Sequence, residues 1–137
     1  MRMSAYDYEH RNRNDDFEPL MRRVLESDQI IFASPVYWYA VSPPMKIFLD
    51  RISDFLDLAD LVSEGRRLRG KKAYVVCTSI YEEVPKSFLG AFIDTFEYLG
   101  MLFGGVAHVN CRDGYVSAKH DADAVAFAQR LRGWSGP

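Results

Sequence analysis

The residues of this 137-residue chain best suited to holding a ligand are three consecutive aromatics, Tyr37, Trp38 and Tyr39. They lie within ASPVYWYAVSPPMKIFLDRISD, positions 33–54, between an apolar run that stops at Ser34 and Pro35 and the pair Ser42-Pro43. Serine is a favoured N-cap and proline a favoured first helical residue, so this order predicts a strand, a loop of ligand size and a helix start. Open parallel sheets bind ligands beyond the carboxyl ends of their strands, where free backbone amides and helix N-termini converge. The site is therefore expected here.

Other reactive residue types are scattered. His10, His108 and His120 lack the spacing of metal ligands and read as surface or core histidines, so no metal site is expected. Cys77 and Cys111 each fall within an apparent strand without CxxC spacing, which reads as reduced core thiols of a cytoplasmic protein. Asp50-Arg51 reads as a helix-capping or inter-element ion pair, and Glu97 and Tyr98 as ordinary helix positions. A net charge of -2 argues against nucleic acid, and the run Arg66, Arg67, Arg69, Lys71, Lys72 reads as a solvated loop. With 48% hydrophobic and 26% charged residues, the composition is that of one globular domain over 1–137, not of a disordered or membrane chain. No signal peptide and no stretch long enough for a membrane helix is visible.

The elements that must position the aromatic loop follow from periodicity. The opening MRMSAYDYEHRNRN, 1–14, has neither helical nor alternating pattern and is expected to be irregular. A helix capped at Asp15 or Asp16 should bury Phe17, Leu20, Met21, Val24 and Leu25. Gln29–Ser34 lacks alternation, which suits a strand buried on both faces. One helix from Ser42 should carry Met45, Phe48, Leu49, Ile52, Phe55 and Leu56 inward. A basic loop from Glu64 leads to a strand at Lys72–Ser79, whose end should lie beside the aromatic loop. A helix over about Lys86–Leu99 should bury Phe88, Leu89, Phe92, Ile93, Phe96 and Leu99, with Gly100 as its left-handed cap. A strand at Leu102–Asn110, weakened by Gly104-Gly105, and a helix at Asp121–Arg132 complete an α-β-α-β-α-β-α order, the mark of a parallel α/β sheet with helices on both faces.

The block DDFEPLMRRVLESDQIIFASPVYWYAVSPPMKIFLDRISDFL, followed by GRRLRGKKAYVVCTS and FEYLGMLFGG, resembles the flavodoxin-like NAD(P)H-dependent FMN reductases and related flavoprotein oxidoreductases. The match rests on SPVYW, a small residue with SxxxK, and FLDR, and covers about residues 6 to 110. The resemblance implies a flavodoxin-like three-layer sandwich, FMN as cofactor and NAD(P)H as co-substrate. It sets the loop Ser34–Tyr39 against the flavin ring and Thr78–Glu82 at its other edge. The cofactor-binding residues it implies are Ser34, Pro35, Val36, Tyr37, Trp38, Tyr39, Ser42, Thr78 and Ser79. An isoalloxazine ring is flat and rimmed with hydrogen-bonding atoms; the three aromatics offer ring faces and the backbone of Pro35–Trp38 offers rim partners. In such enzymes the flavin carries hydride from nicotinamide to a quinone, a free flavin or another acceptor, so no catalytic side chain is assigned.

The departures matter as much. Members of that family begin with a strand, a Ser/Thr/Gly-rich loop that wraps the FMN phosphate at a helix N-terminus, that helix and a second strand. This sequence has no counterpart to them, and neither GxGxxG nor GxxxxGK[ST] occurs. The expectation is a fold truncated at the N-terminus, with about three of the usual five strands, that binds FMN poorly on its own. Gln29–Ser34 then becomes an apolar edge, to be covered by a second copy in a homodimer or by the segment before Asp15, unless the sequence is a fragment. Two functions follow from different classes: an FMN-dependent oxidoreductase, and a non-catalytic remnant of the fold that acts as a dimerising or interaction protein.

Overall fold

The computed structural model describes residues 1–133. Its helices are α1 (Phe17–Glu26), α2 (Pro43–Arg51), α3 (Asp54–Asp57), α4 (Val62–Gly65), α5 (Lys86–Leu99) and α6 (Ser117–Arg132), and its strands are β1 (Gln29–Pro35), β2 (Lys72–Ser79) and β3 (Leu102–Asn110). A 3₁₀ turn at Arg66–Leu68 joins α4 to β2. The strands form one parallel sheet in the order β1-β2-β3. This is an α/β fold of flavodoxin type, as expected.

One core holds it together. Phe17, Met21 and Leu25 from α1, Ile52 and Phe55 from the α2–α3 region, and Phe88, Phe92 and Phe96 from α5 pack on Ile30, Phe32, Ala73, Val75 and Cys77 of the sheet. The phenylalanines interlock, Phe32 lying 5.9 Å from Phe92 and 5.0 Å from Phe96 between ring centroids. Leu89 and Ile93, expected inward with them, are only half-buried. On the opposite face α6 supplies Phe127, set edge-on to Tyr74 at 5.8 Å. Gly100 ends α5 in the left-handed region, φ 70°. Gly104 is the extra residue of a bulge, since Ala73 pairs with Phe103 and Tyr74 with Gly105. A Cβ at Gly104 would stand 2.4 Å from the Tyr74 ring, so only glycine leaves room for that buried tyrosine.

Several expectations are corrected. β1 buries Ile30, Phe32 and Ser34 but exposes Ile31 and Ala33 on its other face, where α6 lies on β3 and on Tyr74 of β2 and meets β1 at its start, Gln29 Nε2 donating to the Leu131 carbonyl at 3.1 Å. The predicted single helix from Ser42 breaks at Ile52 and Ser53, where N–H groups bond to carbonyls three residues back, Ile52 to Leu49 and Ser53 to Asp50. Three residues per turn stacks i over i+3, and that is what brings Arg51 Nε to Asp54 Oδ2 at 2.6 Å. α6 starts one turn earlier than Asp121. The basic stretch 64–72 is wound into α4 and the 3₁₀ turn, with Arg66, Arg67 and Arg69 exposed as expected.

The opening segment is irregular but tethered. Arg51, 1% exposed, donates from Nη1 to Asp15 Oδ2 at 2.8 Å and to the Ser4 carbonyl at 3.1 Å, and from Nε to Asp54. His10 Nδ1 closes on the other Asp54 oxygen at 2.8 Å. Asp50 pairs with Lys46 instead, so the predicted inter-element ion pair belongs to Arg51 alone. Met1 and Met3 reach an apolar groove of about 230 Å³ beside Ile30 and Ile31, yet among the described residues no backbone hydrogen bond joins the segment to β1. The Asp28 carbonyl and the Val36 N–H both bond to β2. By the strand's period of two, the N–H and C=O groups of Ile31 and Ala33 therefore point to a free edge.

Candidate functional site

Beyond Pro35 the chain does not form an open loop. Tyr37 N–H donates to the Ala40 carbonyl at 2.9 Å and Ala40 N–H to the Tyr37 carbonyl at 3.0 Å, a two-residue hairpin turn. Its central residues, Trp38 and Tyr39, both take positive φ, 47° and 64°. Such turns usually hold Asn-Gly, because a Cβ strains that backbone. Trp38 nevertheless stands 90% exposed and Tyr37 56%, at the tip of β1. Val36 N–H ties the turn to the Thr78 carbonyl at the tip of β2.

A cavity of about 670 Å³ opens between the two strand tips, with Pro35–Trp38 on one side and Thr78–Tyr81 and Cys111 on the other. No charged side chain of the described residues lines it. Six of the nine residues anticipated from the sequence meet here: Pro35, Val36, Tyr37, Trp38, Thr78 and Ser79. Tyr39 is displaced; it stacks on Tyr81 at 5.0 Å and 23°, and its carbonyl accepts from Ser87 Oγ at 2.9 Å. Ser34 and Ser42 are buried behind the turn. Ser34 Oγ accepts from Ser42 N–H at 3.0 Å and meets Ser42 Oγ at 3.3 Å, so Ser42 holds the N-cap position of α2 without a side-chain cap and serves instead to close the turn on β1.

The sequence reading overlooked Cys111 and His108. Cys111 lies just past the end of β3, half-buried at the cavity wall, and is not a core thiol in a strand. Cys77 is the core thiol, and burial pushes it up to about 11. His108 Nε2 lies 2.7 Å from Ser79 Oγ, and burial holds its imidazole below the ordinary value. Tyr81's phenol is raised, chiefly by the neighbouring Tyr39 hydroxyl. Polar residues at alternate positions 108, 110 and 112, at the end of an otherwise apolar strand, were the available signal. Among the described residues no three His, Cys, Asp or Glu side chains gather as a metal site, and no helix is long and apolar enough to cross a membrane.

A parallel sheet flanked by helices, with an uncharged, aromatic-walled cavity at adjacent strand tips, defines a flavodoxin-type α/β protein. Within that class the chain belongs to the NADPH-dependent FMN reductase family, whose model matches residues 3–114. It is 30% identical over 122 residues to the Bacillus subtilis protein named "Putative NAD(P)H-dependent FMN-containing oxidoreductase YwqN", a match that covers 85% of this chain and 65% of that one. The chain thus spans just under two thirds of that relative. Among solved structures it superposes on the Trp repressor binding protein of Bacillus subtilis with a TM-score of 0.68 and 26% identity, covering 85% of this chain and 74% of the other. An NADPH-quinone reductase from P. pentosaceus shares the fold at TM-score 0.64 and 16% identity, over 90% of this chain and 77% of that one.

Proposed function

We propose that the chain is a flavin-dependent oxidoreductase unit in which the cavity between the Tyr37-Trp38 turn and the Thr78–Tyr81 loop takes the isoalloxazine ring of FMN. Hydride arrives from NAD(P)H and leaves to a quinone, a free flavin or a similar small acceptor. One observation carries the reading: Tyr37 and Trp38, exposed aromatics of a turn that holds Trp38 on strained backbone, stand across an open cavity from a second strand-tip loop. Family membership and the name of the Bacillus relative support it. The flavin, when bound, supplies the redox chemistry. The chain's part is to offer Tyr37 and Trp38 as ring faces and loop backbone as rim partners.

The fit to FMN is partial. The cavity suits the ring, but among the described residues its lining offers no Lys, Arg or Ser/Thr cluster at a helix N-terminus to grip the phosphate. Flavin-fluorescence titration of the purified chain with FMN and with riboflavin tests this. The two dissociation constants should agree within about threefold, since a single charge-assisted phosphate contact would add about 1.5–3 kcal/mol to FMN alone. Trp38→Ala should weaken both by about 2–10-fold, the 0.5–1.5 kcal/mol of an aromatic pair. Binding of neither flavin at millimolar concentration overturns the function; FMN more than tenfold tighter than riboflavin overturns the missing phosphate grip.

The free edge of β1 supports a second reading, a dimerising or interaction protein, which is compatible with the first. We propose a homodimer joined partly through that edge, where the outward groups of Ile31 and Ala33 lie beside an apolar groove. Light scattering at micromolar concentration should give twice the 15.7 kDa of one chain, and Ile31→Lys should return it to the monomer. A wild-type monomer would end this idea. The two free cysteines support a cytoplasmic setting.

A further inference from the structure

We infer that His108, Asn110 and Arg112 are positioning residues: from the end of β3 they brace the loop Ser79–Tyr81 so that its spare backbone donors face the cavity. The inference rests on the flavin reading for its ligand, and on hydrogen bonds alone for the brace. Three successive loop carbonyls are bonded from Asn110 at the end of β3 and from the two residues after it. Cys111 N–H donates to the Ser79 carbonyl at 2.7 Å, Arg112 Nη2 to that of Ile80 at 3.1 Å, and Asn110 Nδ2 to that of Tyr81 at 3.0 Å. Ser79 Oγ accepts from Tyr81 N–H at 3.1 Å and meets His108 Nε2 at 2.7 Å. Arg112 is itself fixed, its N–H donating to Asn110 Oδ1 at 3.0 Å.

The consequence follows from the planarity of the trans peptide, in which each N–H points opposite to the carbonyl before it. No peptide of the described residues is cis. Carbonyls 79 and 81 are turned to β3, so the N–H groups of Ile80 and Glu82 are turned away from it, and Ile80 itself lines the cavity opposite Tyr37 and Trp38. Among the described residues neither of these two N–H groups has an acceptor. A planar ring laid in the cavity would present its carbonyl-bearing rim to such donors.

His108 is the member whose loss should be felt most. Ser79 Oγ is the single link between its imidazole and the Tyr81 N–H, and Tyr81 in turn carries the stack on Tyr39. A neutral imidazole, which burial favours here, complements a hydroxyl that must both donate and accept. Glutamine, whose amide reaches the position of Nε2, can keep the link. Alanine cannot.

The test compares wild type, His108→Ala, His108→Gln and Ser79→Ala by amide hydrogen exchange without ligand and by titration with riboflavin. In His108→Ala and Ser79→Ala the Tyr81 amide should exchange about tenfold faster, the loss of roughly one hydrogen bond's net worth, while Val75 in the core is unchanged. Riboflavin should bind about tenfold more weakly to both, and His108→Gln should restore both readouts. Unchanged Tyr81 exchange in His108→Ala overturns the brace. Faster exchange with unaltered riboflavin affinity overturns its positioning role. A wild-type chain that ignores riboflavin sinks the flavin reading and the ligand assigned to the spare donors, while the exchange arm still decides the brace.

Discussion

Arg51→Ala lowers the unfolding free energy by about 3–5 kcal/mol, read from the shift of a urea unfolding midpoint at pH 7. Arg51 is 1% exposed and its partners Asp15 and Asp54 are 3% exposed, so its removal strands two carboxylates away from water. The same guanidinium lies 4.7 Å above the Phe17 ring, and it anchors Ser4 of the opening segment, so packing and tethering are lost together. The defect depends on pH with a definite sign. Burial alone would raise the Asp15 carboxyl, but the Ser4 N–H, Arg51 and the Phe17 N–H outweigh it and hold that group below the ordinary carboxylate value. Its stabilisation is therefore fully present above about pH 3.9 and is lost as pH falls through the lower folded value. In the variant only the Ser4 and Phe17 N–H groups are left to offset burial at Asp15, that carboxyl takes up a proton more readily, and the gap to wild type narrows in acid. A gap that stays constant from pH 7 to pH 3 would contradict this account. Replacing Arg51, Asp15 and Asp54 together by apolar residues should recover much of the loss, since the charges are then removed as a set.

Phe92→Ala costs a similar amount, about 3–5 kcal/mol, through the cavity it leaves. Phe92 is fully buried, and its ring centroid lies 5.3 Å from Phe88, 5.9 Å from Phe96 and 5.9 Å from Phe32, so one truncation removes neighbours from three other rings. Tyr98, on the same helix but 79% exposed, is the control; Tyr98→Ala should change stability by less than about 0.5 kcal/mol. Against a total stability on the order of 5–15 kcal/mol, either core change consumes a large part of it, and thermal unfolding of Phe92→Ala measures it directly.

The elements read correctly from the sequence are those whose signals are local. β2 at Lys72–Ser79, α5 at Lys86–Leu99 with its Gly100 cap, and β3 at Leu102–Asn110 fall where apolar runs and caps put them. The break between α2 and α3 was invisible because a 3₁₀ turn keeps Ile52 and Phe55 inward, so the apolar spacing runs on through it. The tethering of residues 1–14 was invisible for the opposite reason. Ser4 and His10 reach their partners Arg51 and Asp54 from 47 and 44 positions away, and no periodicity records that. At the site, the aromatic run advertised itself through residue type. His108 and Cys111 did not, because their position depends on how β3 registers against β2, with a bulge at Gly104 shifting the pairing.

In the proposed site, the turn at Trp38 and Tyr39 would set stability against ligand binding. Two bulky L-residues in the left-handed region cost on the order of 1–3 kcal/mol each, where asparagine and glycine would rest at ease. Selection of this chain for heat resistance alone would thus reach for Asn-Gly at 38–39 among its cheapest gains, and a hardier protein would emerge with a bald strand tip. Such a variant would give up the Trp38 face that the proposed flavin site uses, so its gain in the urea midpoint should come with weaker riboflavin binding.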